Sequence, residues 1–282
     1  MRYSISRIKR MFLGFLGSVS PSDVAKSPDV DFSRNRMCNL FDTLLSIIMM
    51  GCHSLNTEKD NFFFAGRKSP PTKSAFIQQR GKLSDNAFPF LFNSLNTLFP
   101  FEKKYKGLHL LACDGTSLNV PSLAEDTDSF MPYAKGNGGF YQYHLNALYD
   151  ILEDRYVDAR IRPIRLADES AGLAEMTDRN ILKEPCLYIA DRGYISFNNL
   201  AHIQKVSQYY LIRARDPATS SSCLQHIIFP NDDEFDMSHT FIISRSKCSR
   251  NSDMGIYKCV KKKRFDFIPE EDKVSTDRKS TR

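Results

Sequence analysis

A chain of 282 residues with 41% hydrophobic and 26% charged side chains can bury a full core, as one large domain or about two ordinary ones, and is neither fibrous nor of low complexity. Its net charge of +6 is uneven: residues 1–107 carry 16 Lys and Arg against 8 Asp and Glu, whereas residues 108–216 carry 11 against 15, which suggests a polyanion-binding module joined to a part that gathers cations. Seven cysteines without a CxxC pair argue against a disulfide framework or a cysteine zinc site, and for a reducing, cytoplasmic setting.

At the N-terminus, Arg2, Arg7, Lys9 and Arg10 precede MFLGFLG and loosely imitate a secretion signal. The steps between Ile5, Ile8, Phe12, Phe15, Leu16 and Val19 are instead those of one face of an amphipathic helix. Leu44 to Cys52 is too short to span a bilayer, so no membrane partner is expected. Phe41, Leu44, Leu45, Ile48 and Met49 form a second helical stripe. Pro70-Pro71 breaks the chain, TKSAFIQQRGK follows with Ser74 as a possible N-cap, and a further helix is expected over Ala87 to Leu98. Short helices with basic residues between breaks are compatible with a helix-turn-helix-like DNA module. On that reading Gln78, Gln79 and Arg80 could face DNA; on the plainer one they are the wet face of a small helix.

From Leu108 the texture changes. LHLLACD reads as a strand, Tyr141 to Leu152 and Tyr156 to Ile164 as two more joined across Glu153-Asp154-Arg155, and Glu169 to Leu182 as a helix. Leu187 to Asp191, Phe197 to Val206 and Tyr209 to Arg215 continue as strand, helix and strand. The order β-β-β-α-β-α-β implies an α/β fold, a mixed sheet with flanking helices. Beyond Asp216 only Thr240 to Ser244 and Ile256 to Val260 read as strands, and the tail DKVSTDRKSTR is expected to be disordered.

Two buried strands of this series run into aspartates, Asp114 in LLACDGT and Asp191 in CLYIADRG. A charge there needs compensation by an arginine, backbone N–H groups or metal ions. If the first and fourth strands are neighbours, the two carboxylates meet at one edge of a cleft, and a divalent cation relieves their repulsion. Mg²⁺ tolerates one or two carboxylates plus substrate phosphates, and two such ions can hold the attacking and leaving oxygens of a phosphodiester displacement. The plainer alternative is that Asp114 merely opens an Asp-Gly turn.

Other motifs carry less. DGT after a strand suggests the phosphatases with an aspartate nucleophile two residues earlier, but Ala112 stands there. Gly136-Asn137-Gly138-Gly139 leads into a strand and reads as a turn, His144 as a packed histidine, and Lys261 to Arg264 as a solvated basic face.

The phrases ACDGTSLNVP, YHLNALYDILEDRYVDARIRP, YIADRGYISFNNLAHI and YYLIRARD, with SAFIQQRGKLSDNAF upstream, resemble the DDE transposases of the insertion-sequence-four type. The resemblance covers most of residues 35–216. It implies a ribonuclease H-like core over 106–216, a helical DNA-binding region over 1–105 and a partial β-rich insertion over 217–282. It also implies cut-and-paste DNA transposition with Mg²⁺ or Mn²⁺, binding to transposon ends, and a homo-oligomeric synaptic complex. By the same resemblance Asp114 and Asp191 are the first two catalytic acids and metal ligands, while Arg192, Tyr194 and Asn198 fall where contact with DNA or orientation of the carboxylate is implied. The third acid of the family, a Glu in a Tyr-x2-Arg-x3-Glu-x6-Lys helix, has no match after Asp191; Glu234, Glu270 and Glu271 lack the pattern. The expectation is therefore a truncated transposase with impaired strand transfer, or a DNA-binding remnant of one.

Overall fold

The structure, a computed structural model, describes residues 4–34, 37–122, 125–219, 222–225, 227–232, 234–245, 256–260, 263–269 and 274–281. Lys261, Lys262, Glu270 and Glu271 lie outside the described residues. The chain divides into two units, Met1–Pro100 and Phe101–Arg282.

The first unit is helical: α1 (Ile5–Ser18), α2 (Pro21–Val24), α3 (Leu40–Ile48), α4 (Leu55–Ala65), α5 (Lys73–Arg80) and α6 (Ala87–Leu98). Side chains of Ser4, Asn39, Ser54 and Thr72 accept backbone N–H groups at the starts of α1, α3, α4 and α5. Thr72, not Ser74, therefore caps α5: it is the first hydroxyl after the diproline, and Ser74 lies inside the first turn. The apolar stripes of α1, α3 and α6 meet in a core of Leu16, Leu40, Leu44, Ala87 and Leu91, while Phe63 and Phe76 join α4 and α5 around Cys38. Among the described residues no helix is long and apolar enough to cross a membrane.

The second unit is built on a mixed sheet. Its strands are β1 (His109–Val120), β2 (Phe130–Pro132), β3 (Gly139–Asp150), β4 (Arg155–Pro163), β5 (Cys186–Ala190) and β6 (Tyr209–Ile212), in the order β2-β3-β1-β5-β6 with β4 also on β3. β3 is antiparallel to β1, β2 and β4; β5 is parallel to β1 and to β6. Gly136 and Gly138, at φ 89° and 99°, take the left-handed turn that leads into β3. The crossovers through α7 (Glu169–Arg179) and α8 (Phe197–Lys205) step the same way across the sheet, so right-handed connections lay both helices on one face. There Leu173 and Met176 of α7 and Ile203 of α8 pack with Leu111, Cys113, Tyr188 and Ala190. The other face presents half-buried Leu110, Ala112, Leu187 and Ile189, with exposed Tyr209 and Leu211 on β6.

A smaller sheet follows, in the order β8 (Ile256–Cys259), β7 (His239–Ser244), β9 (Val274–Thr281). β9 corrects the expectation of a disordered tail: its backbone pairs antiparallel with β7, which requires no apolar stripe of its own. Phe241, Ile243, Val260, Phe265 and Ile268 close a core against Ala201 of α8.

Candidate active site

The two aspartates follow paired residues of parallel strands. His109, Leu111 and Cys113 of β1 register with Cys186, Tyr188 and Ala190 of β5, and all six are buried on the helical face. Side chains alternate between faces, so Asp114, the next residue of β1, turns away from that core, while Asp191 is the first residue past the end of β5, the neighbouring strand about 4.8 Å away. Both are exposed.

Asp114 does not end its strand and opens no turn. β1 runs on to Val120 in register with β3, with Gly115 opposite Asn146, and the Asp114 carboxylate accepts the Gly115 N–H at 2.8 Å. β5 does end, at Ala190, and the chain turns over Asp191 to Tyr194, where the Tyr194 N–H donates to the Asp191 carbonyl at 3.0 Å. Tyr194 anchors that turn. Its hydroxyl donates to Asn146 Oδ1 at 2.9 Å, and its carbonyl accepts Asn199 Nδ2 at 2.8 Å. Burial raises the Tyr194 phenol and pushes the Cys113 thiol up to about 12, so neither ionises near neutral pH.

The expected DNA contacts divide. Gln78, Arg80 and Arg192 are exposed. Gln79 is only 6% exposed, on the inner face of α5 beside Phe76, so it is not on the wet face expected of it. Tyr194 and Asn198 are each 3% exposed and already engaged within the fold, which removes them as contacts to DNA. Asn198 donates to Asp266 Oδ2 at 3.1 Å and accepts the Asp266 N–H at 2.8 Å. His202 lies between Asp178, at 2.8 Å from Nδ1, and Asp266, at 3.0 Å from Nε2. Burial opposes the charge on Asp266, but hydrogen bonds from Arg264, Asn198 and His202 prevail and hold its pKa down to about 2. This cluster ties the loop after β8 to α8.

Two further residues, His144 and Glu169, lie beside the Cβ positions of Gly115 and Gly193 in the segments that follow the aspartates. His144 of β3 is buried, as a packed histidine should be. Its Nε2 has no hydrogen-bond partner and lies 3.6 Å from Glu169 Oε1, at the start of α7. Glu169 carries no motif of its own; an acid in the first turn of a helix is commonly explained by the helix dipole alone.

As hard oxygen donors on adjacent strands, Asp114 and Asp191 suit a divalent cation whose remaining positions go to water and phosphate. Among the described residues no three His, Cys, Asp or Glu side chains converge closely enough to hold a metal ion by themselves. Cys38, Cys52, Cys113, Cys186, Cys223 and Cys259 are free thiols.

Residues 106–264, more than half of the chain, match the model of the transposase DDE domain. The chain belongs to the transposase DDE domain family. The match spans β1 to β6 and runs on through β7 and β8, so this transposase domain includes the smaller sheet as well as the strands that carry both aspartates. No curated protein matches the chain.

Proposed function

We propose that this chain is a transposase of the insertion-sequence-four type with a ribonuclease H-like core, acting on DNA at the ends of its element. Asp114 and Asp191 are its cation ligands. The observation that carries this reading is the parallel register of Cys113 with Ala190, the residues that immediately precede Asp114 and Asp191 on neighbouring strands. Bound Mg²⁺ or Mn²⁺ supplies the positive charge that holds attacking and leaving oxygens in line during phosphodiester hydrolysis. The chain's own residues do the rest: the Tyr194–Asn146 hydrogen bond fixes the turn that carries Asp191, and exposed Arg192 meets a phosphate. Exposed Gln78 and Arg80 are candidates for the same DNA from the helical region.

No residue after Asp191 fits the third-acid pattern of the family, so the cation site of this reading rests on the two aspartates. A DNA-binding remnant without chemistry is the second reading, favoured by the lack of three converging metal-binding side chains among the described residues. Labelled element-end DNA incubated with the purified chain separates the two. The expected result is slow nicking that requires Mn²⁺ or Mg²⁺ and disappears in Asp114→Asn and in Asp191→Asn. Binding that weakens steeply with salt, with no metal-dependent nicking at all, selects the remnant. Nicking undiminished in both variants rules out the aspartate pair.

A further inference from the structure

The helical unit holds a polar cavity of about 360 Å³ between the loop before α3 and the end of α5. Asp29, Asp31, Phe32 and Arg34 of the loop, with Gln79 of the helix and Lys82 just past it, form its walls. The two stretches are fixed to each other nearby: the Lys26 N–H donates to the Lys82 carbonyl at 2.8 Å, and the Ser84 N–H to the Val24 carbonyl at 2.8 Å. Phe32 holds φ 59°, a strained conformation for an aromatic residue, and strain of this kind gathers at ligand clamps. Gln79 is 6% exposed, and its Oε1 is buried without a hydrogen bond. An amide oxygen left unpaired in this way is costly, and a donor entering the cavity would relieve that cost.

From these walls we infer that the cavity is a binding site for an adenine nucleotide. Each part of such a ligand has a counterpart. A glutamine amide pairs with the adenine edge, its oxygen accepting from the N6 amino group and its nitrogen donating to N7. The carboxylates of Asp29 and Asp31 accept ribose hydroxyls, and Asp31 is already steadied by the Ser27 N–H at 3.0 Å. Exposed Arg34, and Lys82, whose Nζ lies 5.5 Å over the Phe32 ring, supply positive charge for the phosphate. The volume falls within the span of small-molecule pockets, about 300–1,000 Å³. A bare cation would leave the lysine and arginine without a role, and a bare phosphate would leave the aspartates and the amide oxygen without one. The cavity lies outside the residues matched to the transposase domain and uses neither Asp114 nor Asp191, so it stands independently of the aspartate-pair reading.

The test is equilibrium dialysis of labelled AMP against the full chain. Saturable binding is expected, about 10-fold or more tighter than that of GMP, whose O6 accepts where the adenine N6 donates. Gln79→Met, which keeps the length of the side chain and removes the amide, is expected to weaken AMP binding by about 10-fold or more. Arg34→Ala, at an exposed position, is expected to weaken AMP by about 10-fold and to leave adenosine unchanged. A second arm adds a DNA duplex with one unpaired adenine. Displacement of AMP by this duplex, and not by its counterpart with an unpaired guanine, assigns the cavity to a nucleotide of DNA, whereas AMP that stays bound assigns it to the free nucleotide; either upholds the adenine site. Absence of saturable binding, equal binding of AMP and GMP, or AMP affinity unchanged in both variants would overturn the inference. Should Gln79→Met lose its helical circular dichroism, Arg34→Ala decides alone.

Discussion

Single atoms decide much at this site. A methyl group at position 115 has no room beside His144 and Asn146, so Gly115→Ala should lower unfolding free energy by about 1–3 kcal/mol, read as a reduced urea midpoint at constant slope. A different carboxylate governs the response to acid. Burial pushes Asp158 up to about 6, against the pull of Arg179, whose Nη2 lies 2.7 Å from it. Because folding then raises the pKa from 3.8, the native state holds the proton more tightly, and stability falls as pH rises from 3.8 to about 6. The full effect is roughly 3 kcal/mol. Asp158→Asn should flatten that slope in urea titrations taken across the window. Asp266, held down to about 2, acts the other way, adding stability that is lost as pH falls from 3.8 toward 2. That β1 and β5, the strands leading into Asp114 and Asp191, lie side by side was legible in the sequence, where each aspartate interrupts an apolar run. The burial of Gln79, Tyr194 and Asn198 was hidden, since the partners of Tyr194 and Asn198 lie 48 and 68 residues away.

Elements were legible where burial writes a period into the chain. The helix over Ala87–Leu98 and the strands and helices from β3 to β6 fall where alternation or a three-to-four step predicts them. β1 extends six residues beyond Asp114 because β3 pairs with it through Val120, although its last four residues before Val120 are exposed and carry no apolar alternation. Helix α4 escaped for the opposite reason: its first turns, LNTEKDN, are polar, and only Phe63 and Lys59 are buried. β9 is a strand by virtue of its partner, a contribution that propensity does not contain. The polar cluster of Asn198, His202, Asp178 and Asp266 likewise joins positions that no local pattern connects.

On the scale of the molecule, the charge division follows the structural one. The basic stretch lies mainly in the helical unit, whereas both aspartates belong to the unit that matches the transposase domain. Within that unit β6 has a further consequence. Among the described residues no strand pairs with its outer side, and it displays Tyr209 and Leu211 at 57% and 62% exposure. Such a border offers amide and carbonyl groups to any passing chain, and its greasy side chains reward the encounter. In concentrated solution the protein should therefore stick to itself along β6, and light scattering should show Leu211→Lys to be markedly less prone to clumping.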